Sequence, residues 1–311
     1  MRTAYLILAH NTPNHLPRLL SALAHDSAFC FVHVDGKIDL GPYLALEGDG
    51  VAFLRRRERV YWGDYSIVAA TLRLMRRALA DPRDFQRYVV LSGADFPVRS
   101  AAYVDAFFAR FPETEFIDHL PVPEEATGRN LQWITYYRLR PPGERGPGQL
   151  ARQFFRKTGL APKWRDPKKF IGDMVPYCGD AWWALTRDAV EYTLHFVDQS
   201  PRAVELFRHA WVPDESMFQT ILCNSRFREA MAGCLTWADW SARWSHPEVI
   251  GERHLEVLAP LSAEAEERRR EGYEILFARK FADDSADLVA RILRQTADQE
   301  PALLQAAERE R

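Results

Sequence analysis

The sequence predicts an α/β fold built on a mostly parallel central sheet. Short apolar runs alternate with stretches whose apolar residues recur at helical spacing, the pattern of strand–helix–strand units. The chain has 311 residues, 47% of them apolar and 27% charged, enough to build one large domain or two modest ones. No low-complexity tract interrupts it, which excludes a disordered or fibrous protein.

The elements follow in order. Ala4–Ala9 is an apolar run of strand length, with His10-Asn11 directly behind it. It is too short for the apolar core of a leader segment and reads as the first strand. Between Pro13 and His25, Leu16, Leu19, Leu20 and Leu23 share one helical face. Phe29–Val34 is the second strand and runs into Asp35; Val51–Leu54 is the third. Ser66–Ala80 is a helix carrying Leu72, Met75 and Leu79, and Tyr88–Leu91 is the next strand. The turn Ser92-Gly93-Ala94-Asp95-Phe96-Pro97 follows. In open α/β sheets ligands gather beyond the carboxyl ends of strands, where Asp35 and Asp95 stand.

The middle of the chain differs. From 138 to 169, ten cations (Arg138, Arg140, Arg145, Arg152, Arg156, Lys157, Lys163, Arg165, Lys168, Lys169) face only Glu144 and Asp166. Pro141-Pro142-Gly143 and Gly146-Pro147-Gly148 mark this stretch as a loop-rich insertion. Then come a strand-like Pro176–Thr186 containing Trp182-Trp183 and a helix from about Pro213 to Cys223. Trp237, Trp240 and Trp244 stand at helical spacing, a charged helix spans Glu264–Glu271, and Phe277–Phe281 is extended. The expected organisation is one domain over 1–284, with a terminal helix and tail over 285–311.

Composition narrows the function. Lys plus Arg (41) and Asp plus Glu (43) give a net charge of −2, so no whole-molecule field draws this chain to nucleic acid or an anionic membrane. No run reaches the roughly 20 apolar residues of a membrane span, so no transmembrane segment is expected. Cys30, Cys178, Cys223 and Cys234 are dispersed, without CxxC spacing, which indicates neither a zinc site nor a disulfide framework. The expected setting is a bacterial cytoplasm, at most peripheral to the inner membrane. The dinucleotide GxGxxG, the Walker P-loop and the GxSxG hydrolase elbow are all missing. So is an Asp-x-Asp pair, which many sugar-nucleotide transferases use to hold a cation on the donor diphosphate. If a diphosphate binds, protein cations must neutralise it.

Five segments remain to carry chemistry: His33-Val34-Asp35, Tyr61-Trp62-Gly63-Asp64-Tyr65-Ser66, Leu91 to Pro97, Trp211-Val212-Pro213-Asp214-Glu215, and Phe277-Ala278-Arg279-Lys280-Phe281. In this order they resemble the core-2/I-branching glycosyltransferases, the family of β-1,6-N-acetylglucosaminyltransferases and peptide O-xylosyltransferases. The resemblance runs from Ala4 to about Phe281. It implies a glycosyltransferase-A-like single domain with a Rossmann-like N-terminal half. It also implies inverting transfer of N-acetylglucosamine or a related sugar from a UDP-sugar to a glycan hydroxyl, with no metal. Glu215 matches the family's catalytic base, and Lys280 and Arg279 match the cations on the donor diphosphate. Arg243 is the candidate for a further diphosphate cation, in a stretch where this sequence departs from the family's wording. His33, Asp35, Asp95 and Trp62 are the expected nucleoside and donor-sugar contacts; Trp182, Trp237 and Trp240 are the expected acceptor contacts.

The residues themselves suit these roles. Inverting displacement needs one base to take the acceptor proton, and one carboxylate suffices. Pro213 suits a first helical turn, which would hold Glu215 on a rigid element, with Trp211 as a wall that excludes water. A well-placed cation at the leaving diphosphate is worth roughly 3 kcal/mol in the transition state. On an extended segment the side chains of Arg279 and Lys280 diverge, so one can pair with an acid while the other, expected to be Lys280, reaches phosphate.

Plainer readings stand beside these. Asp214 is expected as a cap or scaffold contact, and the tryptophan stripe equally as core. One of Trp182 and Trp183 should face the core and the other the cleft. Arg55–Arg59 reads as a solvated face, and the basic insertion as a surface loop or a docking site for an acidic glycan. Ala181 resembles the small residue of members that transfer N-acetylglucosamine, whereas xylosyltransferases tend to carry an acid there. The rivals are xylosyl transfer, a non-catalytic carbohydrate- or nucleotide-binding protein of the same fold, and an acidic-polymer binding module.

Overall fold

The computed structural model describes residues 1–123, 130–138, 158, 164–242, 246–270 and 274–309. The first half follows the expected order: β1 (Thr3–Ala9), α1 (His15–Leu23), β2 (Ala28–Val34), β3 (Val51–Phe53), α2 (Tyr65–Leu79) and β4 (Arg87–Ser92). Then come β5 (Asp95–Pro97), α3 (Ala101–Arg110), β6 (Glu115–Phe116), β7 (Leu120–Pro121), β8 (Tyr177–Cys178) and β9 (Ala184–Thr186). The remainder comprises α4 (Arg187–Gln199), α5 (Pro201–Arg208), α6 (Met217–Cys223), β10 (Met231–Ala232), β11 (Thr236–Ala238), α7 (Ala263–Arg270), β12 (Phe277–Arg279) and α8 (Ala286–Arg309).

The central sheet has seven strands in the order β10-β6-β9-β4-β1-β2-β3. β1 runs parallel to β2 on one side and to β4 on the other, and β9 alone opposes its neighbours β4 and β6. The side chains of β1 explain why it lies in the middle. Ala4 and Leu6 enter the layer built with Val68, Leu72 and Met75 of α2, while Tyr5 and Ile7 enter the layer built with Leu16, Leu19, Leu20 and Leu23 of α1. A strand covered on both faces is apolar throughout. Each fully buried leucine contributes about 2 kcal/mol relative to exposure. The chain leaves β1 for β2 and β3, then returns to lay β4 on the opposite side, so the order reverses between β1 and β4. A crevice at the carboxyl ends of strands opens at such a reversal.

Several expectations are corrected. Asp95–Pro97 is not merely a turn: it forms β5, antiparallel to β12, in a three-stranded sheet β11-β12-β5. Its partner lies about 180 residues downstream, so no local signal announces it. Pro176–Thr186 is two short strands, β8 paired with β7 and β9 inserted between β4 and β6. The break includes Gly179, where a Cβ would stand 1.9 Å from the carbonyl oxygen of Asp118. Pro213–Cys223 is not one helix: Pro213–Glu215 is a 3₁₀ turn, Ser216 is extended in φ at −143°, and α6 begins at Met217. Trp237 lies on β11 and not on a helix, and Trp244 falls outside the described residues.

The expected terminal helix is built into the domain. Leu288, Val289 and Ile292 of α8 pack with Phe96, Val98, Ile275 and Phe281. The Thr296 hydroxyl donates to the Val98 carbonyl at 3.2 Å, and the Ser100 amide donates to Glu300 Oε1 at 2.9 Å. Of the basic insertion, residues 139–157 and 159–163 lie outside the described residues. Its described ends are anchored: Tyr136 bridges Trp164, and buried Arg165 donates from its guanidinium to the Ile134 carbonyl at 3.0 Å.

Candidate active site

The switch point fixes the first wall of the site. Beyond β1, the Asp35 amide donates to the Ala9 carbonyl at 2.8 Å and the Gly93 amide to the Leu8 carbonyl at 2.8 Å. His10 leaves the sheet between these two brackets. On the β2 side, Asp35 organises the loop: its carboxylate accepts the Lys37 amide at 2.9 Å and the Val60 amide at 3.3 Å, and Lys37 Nζ stands 3.2 Å from its second oxygen. Lys37 also lies over the Tyr61 ring, 4.3 Å from the centroid. His33 does not face the crevice as expected. Its ring is buried, and Nε2 accepts the Glu58 amide at 2.8 Å, which fixes the loop after β3. Burial pushes the pKa of His33 down to about 4, so the ring is neutral and its lone pair is committed to structure.

The second wall is the end of β12. In register, Arg279 opposes Asp95, with Nε 3.7 Å from Oδ1. Asp95 is fully enclosed, and its carboxylate accepts the Ser92 amide at 2.8 Å and the Ser92 hydroxyl at 2.5 Å. The expected contact with a donor sugar is therefore replaced by support of Arg279. Burial raises the Asp95 pKa, opposed by Arg279 and by the Ser92 bonds. The guanidinium of Arg279 lies 4.0 Å from the Trp182 ring centroid. Arg279 is held by Asp95 and Trp182, and both Arg279 and Lys280 act electrostatically on His10 at the end of β1. Clamps on both flanks hold the segment. The Phe281 amide donates to the Ala94 carbonyl at 2.7 Å, and Asp283 accepts the Asn14 and His15 amides at 2.7 and 2.9 Å, serving as a cap for α1.

The third wall is the Trp211–Glu215 turn. Val212 adopts φ 48°, a left-handed conformation that a β-branched residue enters only under constraint. The constraint is visible: its amide donates to the Gly63 carbonyl at 3.2 Å, and Gly63 itself has φ +68°. A Cβ on Gly63 would stand 2.8 Å from the Trp211 ring, so this glycine seats the tryptophan. Trp62 is 60% exposed and meets Trp211 edge-on at 4.8 Å, while Arg138 covers Trp211 at 3.6 Å. Trp62 thus stands against the Trp211–Glu215 turn. Glu215 is half-buried, and its carbonyl accepts the Gly179 amide at 2.9 Å, tying the turn to the loop that carries Trp182. Asp214 is the carboxylate of this turn whose ionisation is disturbed. Its Oδ1 is sealed without a hydrogen-bond partner among the described residues, and burial pushes its pKa up to about 6 against a backbone hydrogen bond within the residue and the pull of Arg279.

The tryptophans divide as their alternation requires. Trp183 packs in the core on Phe218 at 5.5 Å, whereas Trp182 carries Arg279. Trp237 is half-buried and meets His254 edge-on at 5.7 Å, one register position from the residue paired with Arg279. Trp240 is 48% exposed. Arg243 lies outside the described residues. Sequence reading missed His10, Lys37 and the grouping of Asp118, Asp180 and Cys234, whose ligand atoms lie within 4.8 Å of one another. The Cys234 thiol donates to the Trp182 carbonyl at 3.3 Å, and burial beside two carboxylates holds its pKa well above the ordinary thiol range. Chemically, the crevice offers a cationic face at the strand ends and a carboxylate on the opposite turn.

A family model described as Core-2/I-Branching enzyme matches residues 3–258. Xylosyltransferase 2 of Homo sapiens is 28% identical over 245 residues, covering 72% of this chain and 25% of that protein. Xylosyltransferase 1 of Canis lupus familiaris is 25% identical over 252 residues, covering 74% and 23%. The chain spans about a quarter of the length of these curated relatives. Among solved structures, 4-diphosphocytidyl-2C-methyl-D-erythritol synthase superposes over 70% of this chain and 92% of its own, at 10% identity and a TM-score of 0.33.

Proposed function

Because the chain belongs to the Core-2/I-Branching enzyme family, we propose that it is an inverting, metal-independent glycosyltransferase that moves a sugar from a UDP-sugar to a hydroxyl of a glycan acceptor. One observation carries this reading. The turn bearing Glu215 and the strand end bearing Arg279 and Lys280 converge through Trp182 on the carboxyl ends of the parallel strands. In the proposed step, the acceptor hydroxyl gives its proton to the Glu215 carboxylate as its oxygen attacks the anomeric carbon. The bond from that carbon to the β-phosphate oxygen breaks, and UDP leaves with the electron pair. Lys280 and Arg279 receive the charge that develops on the diphosphate, taking the part that a cation held by Asp-x-Asp plays elsewhere. Arg279 supplies a planar fork and Lys280 a mobile point charge, so neither substitutes for the other.

The fold is read as glycosyltransferase-A-like, with β1 to β4 as its nucleotide-binding half. Two donor sugars have support. Ala181, before the tryptophan pair, favours N-acetylglucosamine, while xylose is the sugar in the names of the relatives. No helix among the described residues is long and apolar enough to cross a membrane.

The test is release of UDP from UDP-N-acetylglucosamine and UDP-xylose in the presence of a panel of glycan acceptors, with EDTA or with added manganese. Release undiminished by EDTA is expected. Dependence on manganese contradicts the metal-free reading, and no release from either donor with any acceptor contradicts the transferase reading.

A further inference from the structure

We propose that His10 is the proton-accepting contact of the donor site: on docking of the UDP-sugar it takes up a proton and holds a diphosphate oxygen as an imidazolium. The proposal rests on the UDP-sugar reading above and extends it to a residue with no part in that mechanism.

Placement carries the argument. β1 is the strand at which the sheet order reverses, and His10 is the first residue beyond its end. The backbone brackets described above put Asp35 on one side of it and the Gly93-Ala94 turn on the other. The Phe281 amide bonds to Ala94, which brings the neighbouring Lys280 to the same end of the strand. His10 is exposed, so its ring is available to a ligand entering the crevice.

Among the described residues, the charged groups acting on it are these. From the end of β2 come Asp35 and Lys37, and from the end of β12 come Arg279 and Lys280. Of the first pair, Asp35 is already committed to Lys37 and to two amides. From the turn after β4 comes no other charge than Asp95, which is enclosed and bonded to Ser92. Partial screening of the ring from water by the surrounding protein, with Lys280, Lys37 and Arg279, holds the His10 pKa below its ordinary value, against Asp35, so the free site presents a neutral ring beside three cations.

A neutral imidazole turns either a donor or a lone pair toward its partner, and phosphate oxygens only accept. Protonation makes both ring nitrogens donors and yields a charge-assisted bond. The two negative charges of the diphosphate diester offset the cations that kept the ring neutral, so binding and proton uptake are linked.

The test is titration calorimetry of the native chain with UDP-N-acetylglucosamine and with UDP-xylose, in two buffers of different ionisation enthalpy at about pH 7.5. The diester of either donor has no group titrating in that range, so any proton taken up belongs to the protein. Uptake of about one proton per donor bound is expected, with tighter binding as pH falls toward about 6.5. His10→Gln should abolish the uptake and weaken binding about tenfold at the lower pH. His10→Lys, which carries a permanent charge, should bind well with no uptake and a flat pH profile. Donor binding without uptake, or uptake that survives in His10→Gln, overturns the role of His10 and leaves the UDP-sugar reading standing. Failure of both donors to bind the native chain overturns the UDP-sugar reading and this proposal with it.

Discussion

Arg279 and Asp95 face each other across the antiparallel pair of β12 and β5, with the guanidinium Nε 3.7 Å from a fully buried carboxylate oxygen. At that distance the pair shares charge without a hydrogen bond, and Nε has no hydrogen-bond partner among the described residues. Asp95 and the Trp182 face therefore position Arg279 by charge and stacking.

From this follows a first prediction, for Arg279→Lys. The charge is retained, but the planar fork and the stack on Trp182 are lost, so donor affinity should fall about tenfold with little change in thermal stability. Calorimetry with UDP measures it. An Arg279→Lys chain that binds UDP as tightly as the native protein would show that only the charge matters.

Gly63 supports a second. Its φ of +68° and the 2.8 Å approach of the Trp211 ring to a notional Cβ leave no room for a side chain. Gly63→Ala should cost about 2 kcal/mol in urea unfolding and displace Trp211 from the Glu215 turn, lowering turnover as well. An alanine variant of native stability would mean that the turn relaxes freely.

The third concerns acid. Burial holds the folded-state pKa of His33 at about 4, below its ordinary 6.5, so the folded state binds fewer protons than the unfolded one between those values. Stability must then rise with pH across that window and be lost as pH falls through it, by up to about 3 kcal/mol. Asp214 works in the opposite sense, because its raised pKa favours the folded state at low pH, so the His33 contribution is best isolated by difference. Unfolding of His33→Gln should show a shallower acid loss than the native chain between about pH 6.5 and 4. Parallel pH profiles for the two would refute the assignment.

Much of this was legible in the residues. β1, α1, β2, β3, α2 and β4 appear where periodicity places them, because a strand buried on both faces and an amphipathic helix write their environment directly into sequence. The pairing of β5 with β12 did not show, because it is made between segments about 180 residues apart and involves three residues each. Nor did the break at Ser216, since Pro213 reads as a helix start whether the helix begins there or four residues later. Of the candidate site residues, Arg279 takes the acid partner expected for one of the two cations, and Trp183 and Trp182 divide between core and cleft. His33 and Asp95 were misjudged for one shared reason. A polar residue at a strand end reads the same whether it faces a ligand or bonds the neighbouring loop, and only burial distinguishes the two. His10 and Lys37 gave no motif at all; strand order alone brings them to the crevice.

The central claim, that Glu215 removes the acceptor proton while the cations at the strand ends hold the donor, is tested most directly by Glu215→Gln. The amide keeps the shape of the side chain and cannot accept that proton. Turnover with a competent donor and acceptor should drop at least about a hundredfold while UDP affinity stays within about twofold of native. Turnover close to native in Glu215→Gln would contradict the assignment and move the search for the base to another carboxylate, with Asp214 the nearest.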